Sequence, residues 1–142
     1  MPSADEKYFG AAVIGAKVYF APHDQDNVGV LDTTTNVFTA IPLTGDGASN
    51  YQKYRGAVAV GGKVFFLPHH AHNVGVLDTA TNAFSTIATT GDAISGRYKY
   101  GGGVAIGSKI YMAPHDQNNV GVLDTESNTF STVPVESLGW RD

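Results

Sequence analysis

The phrase P-H-(D/H)-x-x-N-V-G-V-L-D-T occurs three times, and its prolines, Pro22, Pro68 and Pro114, recur every 46 residues. A fixed period in this range constrains the fold more than any composition does. Each repeat is one supersecondary unit that cannot bury its apolar surface alone and must stack on its neighbours. The copies align without gaps from Tyr8, Tyr54 and Tyr100. This predicts a single repeat domain over 1–142, divided into units 8–53, 54–99 and 100–142.

Within each unit the pattern reads as four short strands, expected near 10–14, 17–21, 28–32 and 37–41 with equivalents in the later units. The first is GAAVI, GAVAV or GGVAI, followed by a turn at Gly15-Ala16, Gly61-Gly62 or Gly107-Ser108. The second, KVYFA, KVFFL or KIYMA, carries the β-branched and aromatic residues that suit a pleated sheet. Proline ends it, because proline cannot donate to a ladder. The third is NVGVLD, and Asp32, Asp78 and Asp124 then open a T-x-x-N turn. Asp and Asn suit such turns by bonding to nearby backbone and tolerating positive φ. The fourth is VFTAI, AFSTI or TFSTV, and a loop holding Gly45 and Gly47, or Gly91 and Gly96, leads onward. No segment has a sustained helical period.

Four short antiparallel strands in a unit of this length describe one blade of a β-propeller, so the expected fold is all-β with three blades per chain. The second and third strands are apolar on both faces, as a sheet between two other sheets requires. The Gly-Ala-Val first strand fits the crowded inner end, where blades converge. The tract from Tyr8 to Val133 resembles two repeat families on its own residues. V-G-V-L-D-T-(T/A)-T-N is similar to the YVTN-type propeller repeat. G-x-K-V-Y-F followed by N-V-G-V-L-D-T-x-T-N-x-F resembles the kelch repeat. Pro22-His23 and its equivalents stand where kelch has a double glycine, and Phe38, Phe84 and Phe130, expected to be largely buried between blades on the outer fourth strand, replace its tryptophan. Both resemblances imply blades, and neither carries a particular ligand.

Three blades are fewer than the four to eight that close a propeller. An open arc leaves two apolar blade faces in water, and large contiguous apolar patches are rare on soluble monomers. The expected partner is therefore a second copy, giving a homodimer of six blades under closed twofold symmetry. A ring of three copies would exceed the usual range. Both ends of the chain fall in the same inter-blade loop, so a partner can continue where this chain stops, and Trp140 is placed at that interface. Near-identical repeats cut between blades suit a half-propeller that was engineered or excised from a larger repeat protein. The leading expectation is a self-assembling scaffold with no catalytic activity. The alternatives are a binding module that uses the loop face at the channel mouth, and a metal-dependent enzyme.

Composition removes other classes. The chain is 42% hydrophobic and 15% charged, a globular balance. Its net charge of −4 argues against a nucleic-acid partner. The absence of cysteine excludes disulfides and thiolate metal sites and leaves the compartment open. No apolar run is long enough to span a bilayer, so no membrane partner is expected, and MPSADEKYFG lacks the apolar core of a signal peptide. No motif asks for a cofactor.

His23, His69 and His115 recur in the loop after the second strand. In a ring they form a circle of imidazoles, which suits a metal or an anion. Lys7, Lys53 and Lys99 precede the first strand and are expected on the same face, nearer the axis, where together they would attract phosphate, sulfate or carboxylate. The bland alternatives are histidines that brace their own loops and lysines that keep strand ends solvated. His69, His70 and His72 form a weaker metal option. Repetition itself favours structural roles, since residues needed to build every blade also repeat. No nucleophile–base pair or phosphate-cradling loop is visible, so no catalytic residue is expected.

Overall fold

A computed structural model describes residues 6–44, 52–90 and 98–135. Trp140 and the glycines of the inter-unit loops, Gly45, Gly47, Gly91 and Gly96, lie outside the described residues. The described residues form three separate four-stranded antiparallel sheets. Blade 1 contains β1 (Tyr8–Ile14), β2 (Lys17–Pro22), β3 (Asn27–Asp32) and β4 (Val37–Pro42) in spatial order. Blade 2 contains β5 (Tyr54–Val60), β6 (Lys63–Pro68), β7 (Asn73–Asp78) and β8 (Ala83–Ala88). Blade 3 contains β9 (Tyr100–Ile106), β10 (Lys109–Pro114), β11 (Asn119–Asp124) and β12 (Thr129–Pro134).

The first strand of each blade begins two residues earlier than its Gly-Ala-Val run suggests. Tyr8 pairs with Pro22, and the register slips before Ala11 pairs with Phe20. The slip is a bulge at Gly10, and its equivalents Gly56 and Gly102 share its positive φ of 86°, 98° and 105°. The glycines are also needed for blade-to-blade approach. A Cβ on Gly10 would lie 2.7 Å from the Gly56 Cα, and one on Gly56 would lie 3.0 Å from the Gly102 Cα. The inner strands therefore meet backbone to backbone, which only glycine allows.

The turns follow the sequence reading. Asp32 Oδ1 accepts the Thr34 amide at 2.9 Å, Asp78 Oδ1 that of Ala80 at 3.0 Å, and Asp124 Oδ1 that of Glu126 at 2.9 Å. Asn36, Asn82 and Asn128 take φ of 59°, 62° and 57° to close them. The carboxylates that look catalytic in isolation are thus turn residues.

Each blade has two different faces. The rear face of blade 2 presents Tyr54, Val64, Phe66, Leu77 and Phe84, which pack on Tyr19, Ala21, Val28 and Val30 of blade 1. The rear face of blade 3 presents Tyr100, Ile110, Met112, Leu123 and Phe130 to Val58, Phe65, Leu67, Val74 and Val76 of blade 2. The core therefore lies between blades, not within them. Gly75 makes room for the rings: a Cβ there would sit 3.0 Å from Phe84 and 3.1 Å from Tyr54. Each tyrosine hydroxyl donates to an asparagine of the third strand, Tyr8 to Asn27, Tyr54 to Asn73 and Tyr100 to Asn119. That bond satisfies a buried phenol inside an apolar layer.

The expectation that Phe38, Phe84 and Phe130 are all buried is met at two positions. Phe84 and Phe130 are 8% and 6% exposed, whereas Phe38 is 51% exposed. The reason is position in the arc, since Phe38 lies on the rear face of blade 1, where no preceding blade stands. Phe84→Ala is expected to destabilise the protein by about 3–5 kcal/mol, the usual cost of emptying a buried phenylalanine site. Denaturant unfolding measures it, and Phe130→Ala should fall in the same range.

Candidate functional site at the inner rim

The loops after β2, β6 and β10 and the segments before β1, β5 and β9 meet at one end of the blades, as the strand order dictates. There the backbone runs from blade to blade. His23 N donates to Lys7 O at 3.0 Å, and Lys53 N donates to His23 O at 2.9 Å. His69 N donates to Lys53 O at 2.9 Å, Lys99 N to His69 O at 3.0 Å, and His115 N to Lys99 O at 2.9 Å. Histidine and lysine backbones thus form one continuous relay across all three blades.

The imidazoles line up along this relay. Ring centroids are 5.8 Å apart for His23 and His69 and 5.6 Å apart for His69 and His115. His23 and His69 are fully buried, while His115, beside the open end of the arc, is 46% exposed. The rings do not brace their own loops in a uniform way. His69 Nδ1 lies 3.3 Å from Tyr100 O of the next blade. His23 Nδ1 lies 3.3 Å from a Glu6 carboxylate oxygen and 3.7 Å from Asp24, without hydrogen-bond geometry to either. His115 Nδ1 lies 3.4 Å from its neighbour Asp116. Of the three rings, only His69 reaches the next blade; His23 and His115 lie beside acidic residues of their own blades.

The lysines do not point into a common anion site. Lys53 and Lys99 are buried. Lys53 Nζ donates to Gln25 O at 2.8 Å, and Lys99 Nζ donates to Ala71 O at 2.9 Å. Each ammonium caps the loop of the blade before it. Burial pushes the Lys99 ammonium down to about 8 and lowers Lys53 as well, where Asp26 at 3.4 Å opposes the shift. Lys7 has no preceding blade and is exposed. Among the described residues, no group of three His, Asp or Glu side chains lies close enough to hold a metal ion. His69 and His70 stack at 5.2 Å, whereas His72 is exposed, so His69, His70 and His72 do not converge.

One side chain of the rim escaped the sequence reading. Arg55 stands on β5 at the inner rim with its guanidinium carbon 4.1 Å from the Phe9 ring centroid. Its stem runs beside Gly101, whose Cβ would meet Arg55 Cδ at 3.8 Å and His115 Cδ2 at 3.9 Å. The signal was present: the aligned positions 9, 55 and 101 hold Phe, Arg and Gly between invariantly repeated tyrosines and glycines. Attention to what repeats hides the position that does not.

Comparison with known proteins places the fold. No family defined by sequence and no curated protein matches the chain. Solved structures do. A streptogramin B lyase structure superposes with a TM-score of 0.73 over 96% of this chain at 19% identity. Virginiamycin B lyase from Staphylococcus aureus gives 0.68 over 95% at 18% identity. Hydrazine synthase from Kuenenia stuttgartiensis gives 0.67 over 89% at 17% identity. The chain spans 43% of each lyase chain and 35% of the hydrazine synthase chain. Together with its three sheets, the likeness makes this chain three blades of a β-propeller, a statement about fold alone.

The buried imidazoles carry a pH prediction. Burial, with Arg55 adding to it, pushes His69 down to about 4 from an ordinary 6.5. Burial also lowers His23, against the opposing pull of Asp24 and Glu6. The unfolded chain therefore takes up protons first. Stability should be full above about pH 6.5 and decline as pH falls toward 4. Urea unfolding between pH 8 and 5 measures the decline, and His69→Gln should flatten it.

Proposed function

We propose that the chain is a non-catalytic scaffold that closes into a six-bladed propeller by pairing with a second copy. The observation that carries this is the match between its two uncovered faces. The rear face of blade 1 offers Tyr8, Val18, Phe20, Leu31 and Phe38, the counterparts of residues that blades 2 and 3 bury. The forward face of blade 3 offers Val104, Ile106, Tyr111, Val120, Val122 and Val133, the counterparts of the covering residues of blades 1 and 2. Val104 and Ile106 are 62% and 69% exposed.

Side-chain volume supports the same pairing. Leu67 projects against Gly103, where a Cβ would be 2.9 Å away, so the large residue meets the small one. At the interface of blades 1 and 2 the corresponding positions are Ala21 and Ala57. The uncovered pair, Ala113 on blade 3 and Ala11 on blade 1, repeats that alanine–alanine solution. An apolar depression of about 340 Å³ beside Ala113, floored by Gly102 and Gly103, is the space the missing blade would occupy.

The polar groups agree. Among the described residues, the relay ends in an unused acceptor, His115 O, and an unused donor, Lys7 N. A following copy would join them, and its Lys7 ammonium would reach Gln117 O as Lys53 reaches Gln25 O. A Cβ on Gly102 meets nothing within 4 Å, the space Gly10 of a second copy would fill. The repeated aspartates, tyrosines and third-strand asparagines of every blade are occupied by turns and tyrosine bonds, and Lys53 and Lys99 cap loops, which favours a scaffold over a catalyst. Only six blades combine whole copies of a three-bladed chain with the usual propeller range.

Sedimentation at micromolar concentration should give twice the chain mass, and Phe38→Asp should reduce it to a single chain with a β-type circular dichroism spectrum. A wild-type monomer, or an open series of larger polymers, would contradict the closed pair.

A further inference from the structure

The channel mouth holds a second feature that the scaffold reading does not use and that lies within one chain. Arg55 is partly buried, yet among the described residues no carboxylate pairs with it. Its Nε is shielded from solvent and has no hydrogen-bond partner. The Nε2 atoms of His23 and His69 share that condition, and both rings are fully buried. Buried polar atoms without partners are costly, and Arg55 Nε and the Nε2 atoms of His23 and His69 all lie along this rim.

We propose that Arg55, with the His23 and His69 imidazoles behind it, forms a binding site for a small oxyanion, a carboxylate or a phosphoryl group. The guanidinium is already oriented. Its carbon lies over the Phe9 ring, and Gly101 leaves room beside the Arg55 stem, where the His115 ring also stands. A stacked, planar fork is the geometry that receives two oxygens at once. The imidazoles supply the second layer. His23 follows Phe9 at 5.6 Å, and His69 follows His23 at 5.8 Å. Arg55 is close enough to disfavour a proton on either ring. An anion on the guanidinium offsets that repulsion; because His69 Nδ1 faces the Tyr100 carbonyl, its Nε2 donates to the anion only when the ring is protonated. The nearby carboxylates lie on other edges: Glu6 and Asp24 face the Nδ1 edge of His23, Asp24 also accepts the Gln52 amide at 2.9 Å, Asp26 pairs with Lys53, and Asp116 lies 3.4 Å from His115 Nδ1.

The site breaks the threefold repetition, as a binding position must if its ligand is smaller than the ring. The scaffold residues recur in all three blades, but the aligned partners of Arg55 are Phe9 and Gly101, and all three take part. A closed pair would present two such corners on opposite sides of one channel.

The test is a nuclear magnetic resonance titration of the full-length protein with inorganic phosphate and, separately, with acetate, at constant ionic strength. The expected result is saturable movement of the Arg55 Nε–H and the His23 and His69 ring signals with at least one probe. Arg55→Gln should weaken that binding tenfold or more. Arg55→Lys, which keeps the charge and loses the fork, should fall between. Phosphate binding without acetate binding identifies a phosphoryl ligand, and binding of both admits a carboxylate. Backbone spectra that superimpose away from the rim show that the variants are folded, and solution mass measured alongside separates loss of binding from loss of assembly. Non-saturating shifts, or Arg55→Gln binding as tightly as wild type in the folded state, would overturn the site.

Discussion

Every blade of this chain is finished by its neighbour, and the packing of a tyrosine–phenylalanine cluster onto the preceding sheet is the contact on which the rest depends. In blade 2 the rings of Tyr54, Phe66 and Phe84 lie 6.1–6.5 Å apart and sit over Gly75. A single twisted four-stranded sheet has no interior of its own, so these rings are buried only because blade 1 covers them. Fully burying side chains of this size is worth about 1.5–3 kcal/mol each. The same arithmetic applies in reverse at the two ends of the arc, where counterparts of the same residues remain in water.

Close stacking at the inner end has electrostatic consequences. The inner strands meet at glycines, which brings successive rim loops near enough for backbone amides and carbonyls to pair across blades. Lys53 and Lys99 become inter-blade caps, and their charge survives burial because loop carbonyls accept from the ammonium. The His23, His69 and His115 rings lie 5.6–5.8 Å apart, tilted in one pair and edge-on in the other, and two of the three are fully buried. A neutral imidazole tolerates that environment and an imidazolium does not.

Much of the architecture was legible in the residues. The period, the strand alternation, the Asp-T-x-x-Asn turns and the prolines ending each second strand are local signals, and local backbone chemistry is what they report. The early start of β1, β5 and β9 was not legible, because Tyr8 and its equivalents join the sheet through a bulge whose cause is the close approach of another blade. The roles of Lys53 and Lys99 were misread for a related reason. A lysine before a strand looks solvated until another loop is known to cover it. Arg55 was overlooked because its meaning comes from Phe9 and Gly101, each 46 residues away along the chain.

By itself, then, the sequence determined the kind of unit and its number: three four-stranded blades, with their turns and apolar faces, follow from periodicities that act over a few residues. Only the tertiary structure decided which repeated residues are equivalent in environment as well as in name. Phe38 is exposed and Phe84 is buried, although one repeat pattern specifies both. His115 is open to solvent and His69 is not. Burial, and with it proton affinity and binding capacity, depends on what lies across an interface, and in a stacked fold that neighbour is set by position along the arc.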